Sequence, residues 1–298
     1  MYKLDPSIQS RHIHLDAPDF NVHYLETGEA HPRDEVILLL HGWPTSSYLY
    51  RHMMVPLAEH HRVIALDLPG FGGSDKNPGD SFSFRYHADI LQAFVEQLGI
   101  TKVHLVVHDL GGPIGLWWAQ RHPAQLASYV LLDTIVYPDF SWAVKLFVGM
   151  TLMPGVRTWF SSRYGIAFSM KLGLKHKRRL TREALAGYQA PYTGTGYDKA
   201  ARKALLRSAH RLHVDGFKAI AESLKDIHQP VCLIYADNDV ILPEVAQTMH
   251  RVAADVPQAA VHRIPDCGHF LQEEKPEAVT AIMANFYNSQ SPSSEVRR

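Results

Sequence analysis

Short, almost wholly apolar runs recur along the chain at 36–40, 63–66, 103–107, 129–132 and 231–235, each bounded by turn residues. They are too short for self-burying helices, so they read as strands covered on both faces, the condition of a parallel sheet packed between helices. Helices are expected over 84–98, 113–122, 243–254 and 276–287, where apolar residues return every three or four positions. Right-handed crossovers then give an α/β fold with a mostly parallel, doubly wound sheet, whose ligand crevice lies beyond the carboxyl ends of the strands. Two earlier segments, 11–16 and 20–27, alternate polar and apolar residues and predict an antiparallel hairpin at one edge.

The rhythm of strands stops between 135 and 215, where only helical patterns are found. The reading is one core built from 1–134 and 216–290, a helical cap inserted over 135–215, and a frayed polar tail over 291–298. With 46% hydrophobic residues, 298 residues are enough for such a core. Thirty Lys plus Arg balance thirty Asp plus Glu, which excludes a dedicated nucleic-acid binder. The balance is uneven, however: the 135–215 segment holds fourteen basic and four acidic residues. Its densest stretch, 171–182, reads as a solvated helix face, with attraction to an anionic substrate or a membrane surface as the alternative. Only two cysteines, no metal-ligand spacing, no apolar leader and no spanning segment lead to the expectation of a cytoplasmic protein without metal.

Chemistry concentrates at three strand ends. Leu105-Val106-Val107-His108-Asp109-Leu110-Gly111-Gly112 is a strand running into a sharp turn and a helix, a geometry that lifts Asp109 above the sheet. His41-Gly42-Trp43-Pro44 follows another strand, and the backbone N–H groups of Trp43 and Leu110 are the expected oxyanion-hole donors. Asp266-Cys267-Gly268-His269 places His269 on a loop within reach of the elbow.

These motifs, with Asp67-Leu-Pro-Gly-Phe-Gly-Gly-Ser-Asp75 and Gly268-His-Phe-Leu-Gln-Glu-Glu274, resemble the α/β-hydrolases of the aspartate-nucleophile branch, the epoxide hydrolases and haloalkane dehalogenases. The resemblance implies an enzyme without cofactor, and a triad acid at Asp239, after the penultimate strand, with Asp133 as the alternative and Asp237 third. In that mechanism Asp109 attacks an electrophilic carbon to form an ester, and His269 activates the water that cleaves it. The dehalogenases carry a Trp after the nucleophile as halide donor; this chain has Leu110, and Trp43 resembles the aromatic residue of the epoxide-hydrolase loop. The first expectation is therefore an epoxide hydrolase acting on a hydrophobic epoxide to give a diol, with a haloalkane dehalogenase-like enzyme second and a non-catalytic binding protein third. An epoxide hydrolase needs a cap acid, for which Tyr137, Tyr164, Tyr188, Tyr192, Tyr197, His210 and His213 are candidates. Against the epoxide reading, Tyr188-Gln-Ala-Pro-Tyr192 resembles a stretch of dehalogenase caps. The apolar cap segment 142–160 predicts a hydrophobic chamber for a small substrate.

Overall fold

The computed structural model describes residues 3–77, 81–193 and 198–290. Its eight strands are β1 (Gln9–Asp16), β2 (Asp19–Thr27), β3 (Glu35–Leu40), β4 (Arg62–Leu66), β5 (Lys102–Asp109), β6 (Leu126–Thr134), β7 (Val231–Ala236) and β8 (Ala259–Ile264). They form one sheet in the order β1-β2-β4-β3-β5-β6-β7-β8, antiparallel at the β1-β2 and β2-β4 pairings and parallel from β4 to β8. The fold is thus the mostly parallel, doubly wound α/β sheet that the runs and crossovers predict.

Helices α1 (Arg51–Leu57), α2 (Phe84–Gln97) and α3 (Gly111–Ala119) lie within the first part of the core. Between β6 and β7 come α4 (Trp142–Leu152), α5 (Val156–Phe160), α6 (Arg163–Gly173), α7 (Arg182–Gln189), α8 (Asp198–Ser208) and α9 (Val214–Ser223). The chain ends with α10 (Val245–Asp255), α11 (Leu271–Glu274) and α12 (Pro276–Gln290). The 291–298 tail and Tyr197 lie outside the described residues. The last inserted helix, α9, belongs with the core side: Phe217 packs edge-on against Phe84 of α2 at 5.3 Å.

One element departs from its pattern. β2 alternates in sequence, yet most of it is buried, because it pairs with β4 as well as β1 and Tyr24 packs against Phe94 of α2. The half-buried character expected of both hairpin strands is found in neither, since β1, at the edge, is mostly exposed, with only Ile13 and Leu15 turned inward.

The loops at the strand ends are held by one buried carboxylate. Asp67, just past β4, accepts from Ser47 N at 2.6 Å, Gly73 N at 2.6 Å and His23 Nδ1 at 2.6 Å. Burial works against its charge, but the His23 imidazole and these donors hold its carboxyl far below the usual carboxylate range. Asp67→Ala leaves buried donors unmatched and is expected to lower stability by about 3 kcal/mol. Urea unfolding measures this, and a loss below about 1 kcal/mol is the outcome that removes Asp67 from this role.

Candidate active site

The site is built where β5 stops. Asp109 sits at φ +49°, a left-handed conformation that a side chain adopts only where surrounding contacts impose it. The parallel register with β6 shifts between His108 and Asp109, bringing Thr134 opposite, and the Thr134 hydroxyl donates to the Asp109 carbonyl at 2.6 Å. The elbow also needs close approach from both sides. A Cβ at Gly42 would lie 2.3 Å from the Asp109 side chain, and one at Gly112 would lie 1.6 Å from Thr134 Oγ1. Asp109 does not cap α3; Leu110 occupies that position, without any side-chain cap bond.

Trp43 N donates to Asp109 Oδ1 at 2.7 Å, and the Leu110 N–H also bonds the carboxylate. Burial raises the Asp109 carboxyl above its ordinary value, while His269 and these two N–H groups pull it down. His269 Nε2 stands 3.7 Å from Asp109 Oδ2 with no hydrogen-bond partner among the described residues, and His269 Nδ1 is bonded to Asp239 Oδ2 at 2.7 Å. Asp239 is itself fixed at the end of its loop, its Oδ1 accepting from Ile241 N at 2.7 Å and Leu242 N at 2.8 Å.

Asp133 is also present in this cluster: ligand atoms of Asp133, Asp239 and His269 all lie within 4.8 Å of one another. It does not contact the imidazole as Asp239 does. Its Oδ1 accepts from Ala236 N at 2.9 Å, and burial together with the neighbouring Asp239 carboxylate drives its carboxyl well above the usual range. Burial and the Asp239 charge thus favour the protonated form of Asp133, whose Oδ2 has no hydrogen-bond partner among the described residues. Asp237 faces elsewhere, accepting from Asp266 N at 2.9 Å.

Above the cluster lies a chamber of about 630 Å³ whose floor includes Trp43, Asp109, Leu110 and His269. Its walls come mainly from α4, α5 and α6, with Phe147, Trp159 and Phe168 prominent, and from Val240–Leu242 beside the acid. The apolar 142–160 stretch thus supplies a wall. The contribution of α6 is not legible in sequence, because its lining residues are interleaved with cations.

The six described cap acid candidates are placed away from this chamber. Tyr137 donates to Asp255 Oδ2 at 2.7 Å, and Tyr188 donates to Glu273, which also pairs with Arg51 at 2.8 Å. Tyr192 is buried with its hydroxyl unpartnered among the described residues, Tyr164 is exposed beside Arg163, and His210 bonds Thr151 Oγ1 at 2.6 Å. His213 lies just before α9. None of these six lines the chamber. Trp43 also acts through its side chain, since its indole donates to Leu205 O at 3.2 Å and its ring meets Phe147 at 4.6 Å, tying the cap to the floor.

A strand-end carboxylate bonded by backbone N–H groups, beside an imidazole oriented by a second carboxylate, equips the site for acyl or alkyl transfer. Over residues 35–276 the chain matches the family model described as alpha/beta hydrolase fold. It is 30% identical over 279 residues to a haloalkane dehalogenase of Psychrobacter cryohalolentis, covering 90% of this chain and 88% of that one. The crystal structure of haloalkane dehalogenase DbeA from Bradyrhizobium elkani superposes with a TM-score of 0.80 at 26% identity, covering 95% of this chain and 99% of that one. The epoxide hydrolase CorEH, at 20% identity and TM-score 0.75 over 95% of this chain and 99% of its own, shares the fold. The chain belongs to the α/β-hydrolase superfamily, in its aspartate-nucleophile branch, and is a hydrolase of that fold.

Burial alone would lower the His269 pKa, but the Asp239 carboxylate outweighs it, with Asp109 adding to the effect, and holds it above the ordinary 6.5. In Asp239→Asn the main opposing charge is gone, so the imidazole is expected to titrate lower than in the parent protein. Asp133→Asn removes no charge and should leave the His269 titration nearly in place. NMR titration of the ring resonances checks both, and equal displacement by the two variants would show Asp133 to be ionised.

Proposed function

We propose that this hydrolase works through a covalent ester on Asp109, formed at an sp³ carbon of an apolar substrate. The observation that carries the reading is the pairing of two contacts on one carboxylate: the Trp43 N–H at Oδ1, and an imidazole nitrogen without a hydrogen-bond partner among the described residues 3.7 Å from Oδ2. An ionised carboxylate needs no base to attack carbon. Its Oδ forms the new C–O bond while the carbon's bond to the leaving group breaks with its electron pair. Water then gives a proton to His269 Nε2 and attacks the ester carbonyl, whose developing negative charge falls on the oxygen facing the Trp43 and Leu110 N–H groups. Collapse expels the alcohol oxygen, which takes up that proton or one from solvent. Asp239 holds the imidazole tautomer throughout.

The leaving group decides the substrate class. No candidate cap acid among the described residues lines the chamber, so the geometry favours a group that departs as a stable anion, as in the dehalogenation named for the relatives. Bromide and iodide are favoured over chloride, because Leu110 cannot donate to a departing halide. That same residue supports the second reading, epoxide opening, for which Tyr197 is the remaining candidate acid.

His269→Gln separates the two. Ester formation should proceed while hydrolysis falls by about 10³-fold or more, so the adduct accumulates. Intact-protein mass reads the class directly: a haloalkane adds its mass less hydrogen halide, whereas an epoxide adds its whole mass. Loss of adduct formation in Tyr197→Phe, with epoxides only, would favour the second reading. Asp109→Ala should form no adduct with either, and turnover by that variant sinks the nucleophile assignment.

A further inference from the structure

The cap carries an apolar surface on its outside as well as its inside. In α4 and the residue after it, the exposed positions are 142, 145, 146, 149, 152 and 153, a single helical stripe. That stripe reads Trp, Lys, Leu, Gly, Leu, Met, and its large side chains stand open: Trp142, which with Leu146 also lines the chamber, is 67% exposed, and Leu152 and Met153, which lie outside it, are 60% and 55% exposed. An outward face of this kind on a helix that is already packed on its other side is unusual for a helix whose outer face meets only water. The same character continues onto α5 and α6, where Trp159, Phe168 and Leu172 are exposed and also rim the chamber.

Cations are interleaved with this surface and anions are absent from its sequence. From 140 to 182 the chain contains nine Lys or Arg and no Asp or Glu. Lys145 adjoins Leu146, Arg157 lies two residues from Trp159, and Lys171 sits beside Leu172 one turn from Phe168; all three are exposed, and none enters an ion pair among the described residues. Indole and aliphatic side chains projecting among such cations match a bilayer interface, where the apolar groups enter the acyl boundary and the cations meet anionic headgroups. No described helix is long and apolar enough to cross a membrane.

We propose that the outer face of α4 to α6 docks on an anionic lipid bilayer, with the mouth of the chamber turned toward the lipid. The chain lies on the membrane and is not inserted through it. An apolar substrate dissolved in the leaflet then enters between Trp142, Trp159 and Phe168 without crossing water. The route of the substrate rests on the function proposed above, whereas the docking itself does not.

Co-sedimentation with vesicles tests the docking. Phosphatidylcholine vesicles containing about a third phosphatidylglycerol are expected to carry the full chain down, with at least tenfold tighter partitioning than phosphatidylcholine alone and with loss in high salt. Lys145→Glu/Arg157→Glu/Lys171→Glu should weaken partitioning about a hundredfold. Leu152→Asp/Met153→Asp should weaken it about tenfold even at low salt. None of these five side chains lines the chamber or touches the Asp109 cluster, so adduct formation with a dissolved substrate should stay at the parent level, and thermal melting checks that each variant is folded. A chain that remains in the supernatant with anionic vesicles overturns the proposal, as does partitioning indifferent to both variants. Self-association in sedimentation velocity that Leu152→Asp/Met153→Asp abolishes would assign the face to a second copy and also overturn it. Sedimentation needs no turnover, so failure here leaves the Asp109 reading standing, and an inactive chain that still sediments marks the reverse case.

Discussion

Four ionisable groups meet almost out of reach of solvent, and the arrangement exists only because each offsets another's charge. Asp109, Asp133, Asp239 and His269 are all buried, and isolated carboxylates in such a place would cost far more than the fold can supply. Each finds a different solution: Asp239 pairs with the imidazole and two N–H groups, Asp109 takes the Trp43 and Leu110 donors, and Asp133 is pushed toward its neutral form by burial and the Asp239 charge. The strand ends, the tight glycines and the loop after β3 are placed to make these contacts possible. The backbone strain at Asp109, at φ +49°, is one visible cost of bringing a carboxylate to that point.

This charge balance also bears on timing in the proposed cycle. His269 is raised partly by the Asp109 charge, which favours the protonated ring while the nucleophile is free. Once Asp109 is an ester that charge is gone, and burial, which opposes the imidazolium, gains weight. The ring therefore becomes easier to deprotonate at the stage where a base is required. A nucleophile that is ionised before attack and neutral after it thus adjusts its own base, with no movement of the chain.

Much of this is readable from local patterns. The apolar runs specify a parallel sheet because buried strands have few other uses, and the elbow is visible because a strand, an acid and two glycines in succession leave little freedom. The choice between Asp239 and Asp133 is not local. Both follow buried strands, and only the lateral placement of β6 and β7 shows that one reaches the ring while the other reaches a backbone N–H on β7. The tyrosines of the cap are hidden for the same reason. Glu273, the partner of Tyr188, is 85 residues away, and Asp255, the partner of Tyr137, is 118 away, so no spacing rule could mark these hydroxyls as already engaged. Local sequence marks Trp43 for its backbone alone, since its indole bond to Leu205 depends on how the cap sits.

The cap meets two demands with one thin layer of helices. α4 lines the chamber with Trp142, Val144, Leu146, Phe147 and Val148, yet an outer stripe at Leu152 and Met153 is exposed and apolar as well. Substituting polar residues on that outer stripe would be nearly free in energy, since it contributes little to the core, so packing does not explain its character. Nor does charge balance explain the lack of anions over 140–182, because the remainder of the chain has acidic residues in excess. Apolar exposure and unpaired cations coincide on the helices that surround the chamber mouth, and a single physical setting makes both favourable: an interface whose interior is hydrocarbon and whose surface is anionic. With the docking proposed above, the composition of the cap would follow from where its substrate dissolves as much as from how that substrate reacts.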